Sequence, residues 1–77
     1  MSAIVHIRKS VFDVSQAQFA RIAGTTQGSV SRWERGEQEP GHSEMERIRA
    51  EAMRRGLDWD DRWFFEPPVT PTQAGAA

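Results

Sequence analysis

The sequence of 77 residues predicts an all-α protein, a compact bundle of four or five short helices. Three observations predict this fold. Apolar residues recur at helical spacing along the chain. Side chains that cap helix starts, such as Ser15 and Thr26, precede two of these stretches. Glycines that favour helix ends, such as Gly24 and Gly36, follow the same two stretches. Local signals therefore mark both ends of the central helices.

The first helix is expected at residues 3–10, where Ile4, Ile7 and Val11 recur at helical spacing.

The chain has no cysteine, so it can form no disulfide and no thiolate metal site. Its stability must come from helix packing and from the surface of any partner. A chain of this size is close to the limit for a single core, and burial at a dimer interface would add to its stability.

Helices two and three are expected at residues 16–23 and 27–35. Two short helices joined through a glycine turn are the signature of a helix-turn-helix. The second helix must cross the first closely, which requires a small residue at the contact, a flexible residue in the turn and an apolar residue inside the second helix. The residues expected to hold this pair together are Phe19, Ala20, Gly24, Val30 and Trp33.

The fourth helix is expected to follow a loop at residues 37–41 and to run through Arg55. Ser43 and Glu46 have the spacing of a capping box at its start, and Gly56 stops it. Its buried side is expected to hold Met45, Ile48, Ala52 and Met53.

A fifth, short helix is predicted after Asp58, and Pro67 and Pro68 end it. Aromatic clusters either close a small core or form the buried centre of a protein interface. The sequence leaves both roles open for Trp59, Trp63, Phe64 and Phe65. We expect one domain at residues 1–66 and a disordered tail at 67–77, which carries no charge.

The charges of the chain are divided between its two halves. The net charge is only −1, but residues 1–36 carry five basic and two acidic side chains. The remainder carries five arginines and nine carboxylates. A basic front on an acidic back would orient the molecule toward a polyanion.

Residues 16–35, QAQFARIAGTTQGSVSRWER, followed by Gly36, resemble the Cro and repressor type of helix-turn-helix, the XRE family. The similarity spans roughly residues 4–55. The resemblance implies a lambda-repressor-like bundle that binds double-stranded DNA as a bacterial or phage transcriptional regulator. It also implies that the third helix lies in the major groove while the second crosses the backbone, in a homodimer on a two-fold site.

The resemblance assigns base contacts to the exposed face of the third helix. Gln27 can pair with adenine N6 and N7, and Arg32 can pair with guanine O6 and N7. The residues expected to contact bases are Gln27, Gly28, Ser29, Ser31 and Arg32. The residues expected to contact phosphates are Gln16, Thr26, Arg21 and Arg35.

The resemblance also implies a structural ion pair between the first and third helices. Arg8 with Glu34 is the natural match. The segment between Arg8 and Gln16 is one residue longer than in the phage repressors that it most resembles, so Lys9 is the alternative partner. A pair of this kind would fix the third helix against the first.

Other functions have less support in the sequence. His6 and His42 are expected on the surface with no metal, and no cofactor is expected. An enzyme is disfavoured, because no nucleophile, phosphate loop or carboxylate pair stands in a recognisable setting. The main alternative is an antitoxin that binds a toxin and regulates its own operon. No signal peptide or membrane segment is recognised, so a cytoplasmic, nucleoid-associated protein is expected.

Overall fold

A computed structural model describes residues 3–65 of the chain. Its elements are α1 (Ala3–His6), a π-helical segment (Ile7–Phe12), α2 (Gln16–Ala23), α3 (Gln27–Glu34), α4 (His42–Arg54) and a 3₁₀ segment (Asp61–Phe64). Within these residues every element is helical, which confirms the predicted all-α bundle. The predicted boundary at residue 66 and the tail at 67–77 lie outside the described residues.

The ends of α2 and α3 are capped as the sequence predicts. Ser15 Oγ accepts a hydrogen bond from the Gln18 N–H at 3.1 Å, and Gln18 Oε1 accepts one from the Ser15 N–H at 2.9 Å. Gly24 ends α2 in the left-handed region, with φ of +74°. Thr26 Oγ1 accepts from the Ser29 N–H at 3.1 Å and starts α3. Local hydrogen bonds therefore fix the geometry of the turn.

The core lies where α2 packs against α3 and α4, and where α1 packs against α3. Ile7, Phe19, Val30 and Ile48 are completely buried at its centre. Burial of such a side chain contributes about 1.5–3 kcal/mol relative to exposure. The buried residues around this centre are Ile4, Phe12, Ala20, Ala23, Trp33 and Ala52.

The first helix differs from the prediction. After one turn of α-helix the chain continues as a π-helix, and the Asp13 N–H donates to the Arg8 carbonyl five residues earlier. Residues five apart then share a face, so Ile7 and Phe12 are both buried. Val11, which was expected to face inward, is only partly buried. The π-helical segment ends at Asp13 in the left-handed region, with φ of +56°.

The predicted capping box at the start of α4 is wrong. Gly41, not Ser43, is the N-cap, and Glu44 Oε1 accepts a hydrogen bond from the Gly41 N–H at 2.7 Å. The predicted partner Glu46 instead lies near His42, with 3.2 Å between Glu46 Oε1 and His42 Nε2. A carboxylate in the first turn can bind the N-cap amide without a capping hydroxyl.

The buried side of α4 follows the prediction except at its end. Ile48 and Ala52 are buried, and Met45 is partly buried. Met53 is 56% exposed, so its predicted burial is wrong. Met53 follows Ala52 directly and therefore projects about 100° away from it around the helix axis. Gly56, with φ of +69°, ends this helix as predicted.

The predicted cap of the last helix is also wrong. Asp60, not Asp58, is its N-cap, and Asp60 Oδ1 accepts a hydrogen bond from the Arg62 N–H at 2.9 Å. The element is a single 3₁₀ turn, so Trp59 precedes it rather than forming part of it. The segment is therefore shorter than expected.

The aromatic residues of this segment pack against the core. Trp59 lies edge-on to Trp63 with ring centroids 5.6 Å apart, and to Phe64 with centroids 5.2 Å apart. All three are partly buried against the core cluster. Phe65 is 75% exposed. The four aromatic residues thus divide into three that cover the core and one that faces solvent.

His6, expected on the surface, is partly buried. Its ring packs edge-on against Trp63 with centroids 5.1 Å apart, and its Nε2 is buried with no hydrogen-bond partner among residues 3–65. His42 is exposed. No group of metal-ligating side chains occurs among residues 3–65. No helix in the same range is long and apolar enough to cross a membrane.

Candidate nucleic-acid interface

The polar face of α3 projects away from the core. Val30 and Trp33 are buried on the opposite face and anchor the helix. Gln27 and Gly28 are exposed, and the remaining polar residues on this face are partly exposed. The structure therefore leaves open to solvent all five residues that the sequence singled out for base contacts: Gln27, Gly28, Ser29, Ser31 and Arg32.

The residues expected to contact phosphates border this face. Thr26 is exposed at the start of α3, and Arg21 is exposed near the end of α2. Arg35 follows α3 and is also exposed, but its Nε lies 2.7 Å from Glu37 Oε2. The hydrogen bond from Arg35 lowers the pKa of Glu37 and keeps that carboxylate ionised. Arg35 is therefore already paired within the chain.

A chain of four side chains connects the first helix to the polar face of α3. Arg8 Nε donates to Glu34 Oε2 at 2.5 Å, and Arg8 Nη2 donates to Glu34 Oε1 at 3.2 Å. Gln16 Nε2 donates to Glu34 Oε1 at 3.0 Å, and Gln27 Nε2 donates to Gln16 Oε1 at 3.4 Å. Arg8, Gln16 and Gln27 are the donors, so the hydrogen bonds converge on Glu34, which only accepts.

The ion pair in this chain is well shielded from water. The side chains of Arg8 and Glu34 are 12% and 11% exposed. Arg8, rather than Lys9, is the residue that meets Glu34, and Lys9 is exposed. Arg8 Nη1 also donates to the Val14 carbonyl at 3.1 Å, which ties the pair to the chain before α2. A shielded bidentate pair holds its geometry better than an exposed one.

The protonation state of Glu34 follows from its neighbours. Burial raises the pKa of this carboxyl. The hydrogen bonds from Arg8 and Gln16 and the charge of Arg8 lower the pKa, and their combined effect is larger than that of burial. The net pKa lies below the ordinary value, so Glu34 is ionised at neutral pH and acts only as an acceptor. That state fixes the direction of the amide groups beyond it.

Arg32 is held in place by residues on both sides of it. Its Nε donates to Gln38 Oε1 at 3.2 Å, and its Nη2 donates to Ser29 Oγ at 3.4 Å. A Cβ at Gly28 would stand 3.6 Å from Arg32 Nη1. The guanidinium therefore lies back along α3 over the exposed backbone of its first turn.

Three of the four arginines of α4 and its C-cap, Arg49, Arg54 and Arg55, are paired with carboxylates on the acidic half. Hydrogen bonds from Arg54 and Arg55 hold the pKa of Glu51 at about 2. Arg49 Nε lies 3.2 Å from Asp61 Oδ1. These charges largely neutralise one another, whereas Arg21 has no such partner within residues 3–65.

Two residues of this region were missed in the sequence. Gln38 lies in a predicted loop and binds Arg32, and no local pattern marks it. Arg47 lies on α4, and its guanidinium occupies the space beside Gly24, where any Cβ would collide with it. The left-handed backbone of Gly24 favours glycine, and any larger residue there would also require the end of the Arg47 side chain to move.

Comparison with known families shows which family the chain matches. The helix-turn-helix family model matches residues 8–59, more than half of the chain. The matched span contains α2, α3, α4 and the four side chains from Arg8 to Gln27. No curated protein and no solved structure matches the chain.

Proposed function

We propose that this protein is a repressor-like switch that reads one specific operator, because the chain belongs to the Cro/repressor-type helix-turn-helix family of DNA-binding transcriptional regulators. The observation that carries this proposal is the polar face of α3, exposed on a helix whose other face is buried. In this proposal α3 lies in the major groove and α2 crosses the backbone. A homodimer in the bacterial cytoplasm, associated with the nucleoid, would be the active form.

Gln27 and Gln16 have free groups suited to DNA. A side-chain amide nitrogen has two hydrogens, and Gln27 uses one of them to reach Gln16. Its second hydrogen and its Oε1 remain to pair with N7 and N6 of an adenine. Gln16 uses one hydrogen on Glu34, and its other hydrogen can reach a phosphate.

Arg32 is the second residue proposed to read a base. Its guanidinium can grip O6 and N7 of a guanine, which is worth about 1–3 kcal/mol of discrimination against another base. Gly28 lets the backbone of α3 come close to the groove. Ser29 and Ser31 would add contacts through their hydroxyls, which do not by themselves distinguish bases.

The phosphate contacts are few and come from Gln16, Thr26, Arg21 and Arg35. Only the two arginines neutralise charge, so each protomer releases few counterions on binding. The logarithm of the binding constant should fall by about 0.9 for each neutralised phosphate per tenfold rise in salt. Nonspecific binding is therefore expected to be weak, in agreement with the net charge of −1.

Band shifts with duplexes from the promoter region of its own gene test the proposal. We expect one specific complex that an excess of unrelated duplex does not displace. Footprinting should show two half-sites about one helical turn, roughly 34 Å, apart, and sedimentation should show a dimer. Equal binding to all duplexes would contradict the proposal.

A second candidate, an antitoxin that neutralises a toxin and regulates its own operon, is favoured by one observation. Met53 and Phe65 are large apolar side chains that stay exposed, at 56% and 75%, on the acidic half of the chain. A toxin partner could cover them. A stable co-purifying protein that Phe65→Asp releases would support this function, and a homodimer that purifies alone would count against it.

A further inference from the structure

The loop after α3 folds back onto the last turn of that helix. Gly36, with φ of +76°, reverses the chain immediately after α3. The Glu37 N–H then donates to the Arg32 carbonyl at 2.9 Å, and the Gln38 N–H approaches the same oxygen at 3.4 Å. This backbone contact places the side chain of Gln38 beside the side chain of Arg32.

Gln38 and Ser29 occupy one edge of the Arg32 guanidinium. Gln38 Oε1 accepts from Nε at 3.2 Å, and Ser29 Oγ accepts from Nη2 at 3.4 Å. A guanidinium has five N–H donors and two edges that can grip a pair of acceptors, one formed by Nε and Nη2 and one by Nη1 and Nη2. The first edge is therefore used inside the protein, and the second has no acceptor among residues 3–65.

We infer that Gln38 is a positioning residue for base recognition: it blocks the Nε edge of Arg32 and directs the Nη1–Nη2 edge end-on toward a guanine. The inference rests on the proposed function of Arg32. Gly28 leaves room beside the Nη1–Nη2 edge, because even an added Cβ would stand 3.6 Å from Nη1, at ordinary contact distance.

This arrangement lowers the entropy cost of binding DNA and fixes the direction of the Arg32 donors. A free arginine side chain has many rotamers, and ordering it at the moment of binding reduces affinity. Gln38 orders Arg32 before DNA arrives and leaves a single pair of donors for O6 and N7 of guanine. Gln38 would thus sharpen base preference without touching a base.

The test compares base preferences of variants of the full chain on randomised duplexes. Arg32→Ala first identifies the base pair whose guanine preference depends on Arg32. Gln38→Ala should then lower the preference at that same base pair by about three- to tenfold, the effect of one ordered hydrogen bond. Preferences at other base pairs and the thermal midpoint of unfolding should stay unchanged. Ser43→Ala, an exposed change outside the interface, is the matched control and should alter neither.

Two further variants separate positioning from a general structural role. Gln38→Glu keeps the oxygen that accepts from Arg32 Nε, so it should retain the guanine preference while its added charge weakens binding to all duplexes. In an Arg32→Ala background, Gln38→Ala should have no additional effect, because its partner is gone.

The outcomes distinguish this inference from the proposed function. An unchanged guanine preference in Gln38→Ala, or additive losses in the double variant, would overturn the role of Gln38 alone. If Arg32→Ala itself leaves every preference unchanged, the assignment of α3 as the reading helix fails with it.

Discussion

Different interactions hold the two ends of the bundle together. At the α2–α3 pair, the hydroxyl oxygens of Ser15 and Thr26 accept the hydrogen bonds that cap the helices. The pair of Arg8 with Glu34 fixes α3 against the first helix. These contacts have defined directions and donor–acceptor partners. A small rotation of any one member would break them.

At the other end, α1 meets the 3₁₀ segment through apolar and aromatic contacts, and we call this end the aromatic closure. Trp63 packs on the edge of His6, and Trp59 packs on Trp63. The buried Nε2 of His6 has no hydrogen-bond partner among residues 3–65, so its contact with Trp63 depends on shape and apolar area. The comparison indicates that hydrogen bonds set the orientation of the candidate interface, while the aromatic closure contributes stability.

Trp63→Ala should produce the largest effect and should act on stability alone. Removing this partly buried indole is expected to lower the free energy of unfolding by about 3 kcal/mol. Urea denaturation measures the loss, and binding-site selection by the folded protein should show the same base preferences. Phe65→Ala, an exposed aromatic in the same segment, is the control and should change stability by less than about 0.5 kcal/mol. A changed base preference in Trp63→Ala would show that the aromatic closure also affects DNA recognition and would contradict this account.

Glu34→Gln should break the ion pair with Arg8 that fixes α3 against the first helix. Arg8 would remain nearly buried without a carboxylate, at an expected loss of about 2 kcal/mol in the free energy of unfolding. Glu39→Gln removes an exposed carboxylate and serves as the control. Equal stability of the two variants would show that the Arg8 pair does not hold α3.

The same variant predicts a difference in pH dependence. The pKa of Glu34 is lowered in the folded protein, so its contribution to stability is complete above the ordinary glutamate range and is lost as pH falls through the lowered value. The stability difference between the native chain and Glu34→Gln should therefore shrink on acidification. The carboxyls of Glu51 and Asp60, whose pKa values are also lowered, are present in both proteins and cancel. A difference that stays constant down to low pH would contradict this assignment.

Gly28→Ala should have the smallest effect on stability, and it should change stability and operator affinity in opposite directions. Alanine is a better helix former by up to about 1 kcal/mol, and its Cβ would make only ordinary contact with Arg32 Nη1 at 3.6 Å. The melting temperature should therefore rise. Affinity for the operator should fall, because a methyl group would stand where the backbone is proposed to approach the groove. A stabilised variant with unchanged affinity would remove Gly28 from the interface.

The features that could be predicted from the sequence are those set by neighbouring residues. Ser15, Gly24 and Thr26 each act within a few positions, so their caps and turn follow from local chemistry. The sequence predicts the wrong N-cap for α4 because Ser43 has a capping hydroxyl and Gly41 has none. In the structure the Glu44 carboxylate alone binds the Gly41 amide.

The features that could not be predicted depend on geometry beyond the local pattern. A search at the α-helical period cannot find the π-helical segment, where Ile7 and Phe12 share a face five residues apart. Arg8, near the start of this segment, reaches Glu34, whereas Lys9 is exposed. Gln38 meets Arg32 only because the chain reverses at Gly36, and its own residue type gives no sign of this contact.

Selection of binding sites from randomised duplexes, carried out with the native chain and with Arg32→Ala, tests most directly whether α3 reads sequence. We predict that the native chain selects a two-fold symmetric site with half-sites about 34 Å apart. Arg32→Ala should lose a guanine preference at one base pair of each half-site and keep the others. Selection of no sequence by the native chain, or of an identical site by Arg32→Ala, would contradict the account.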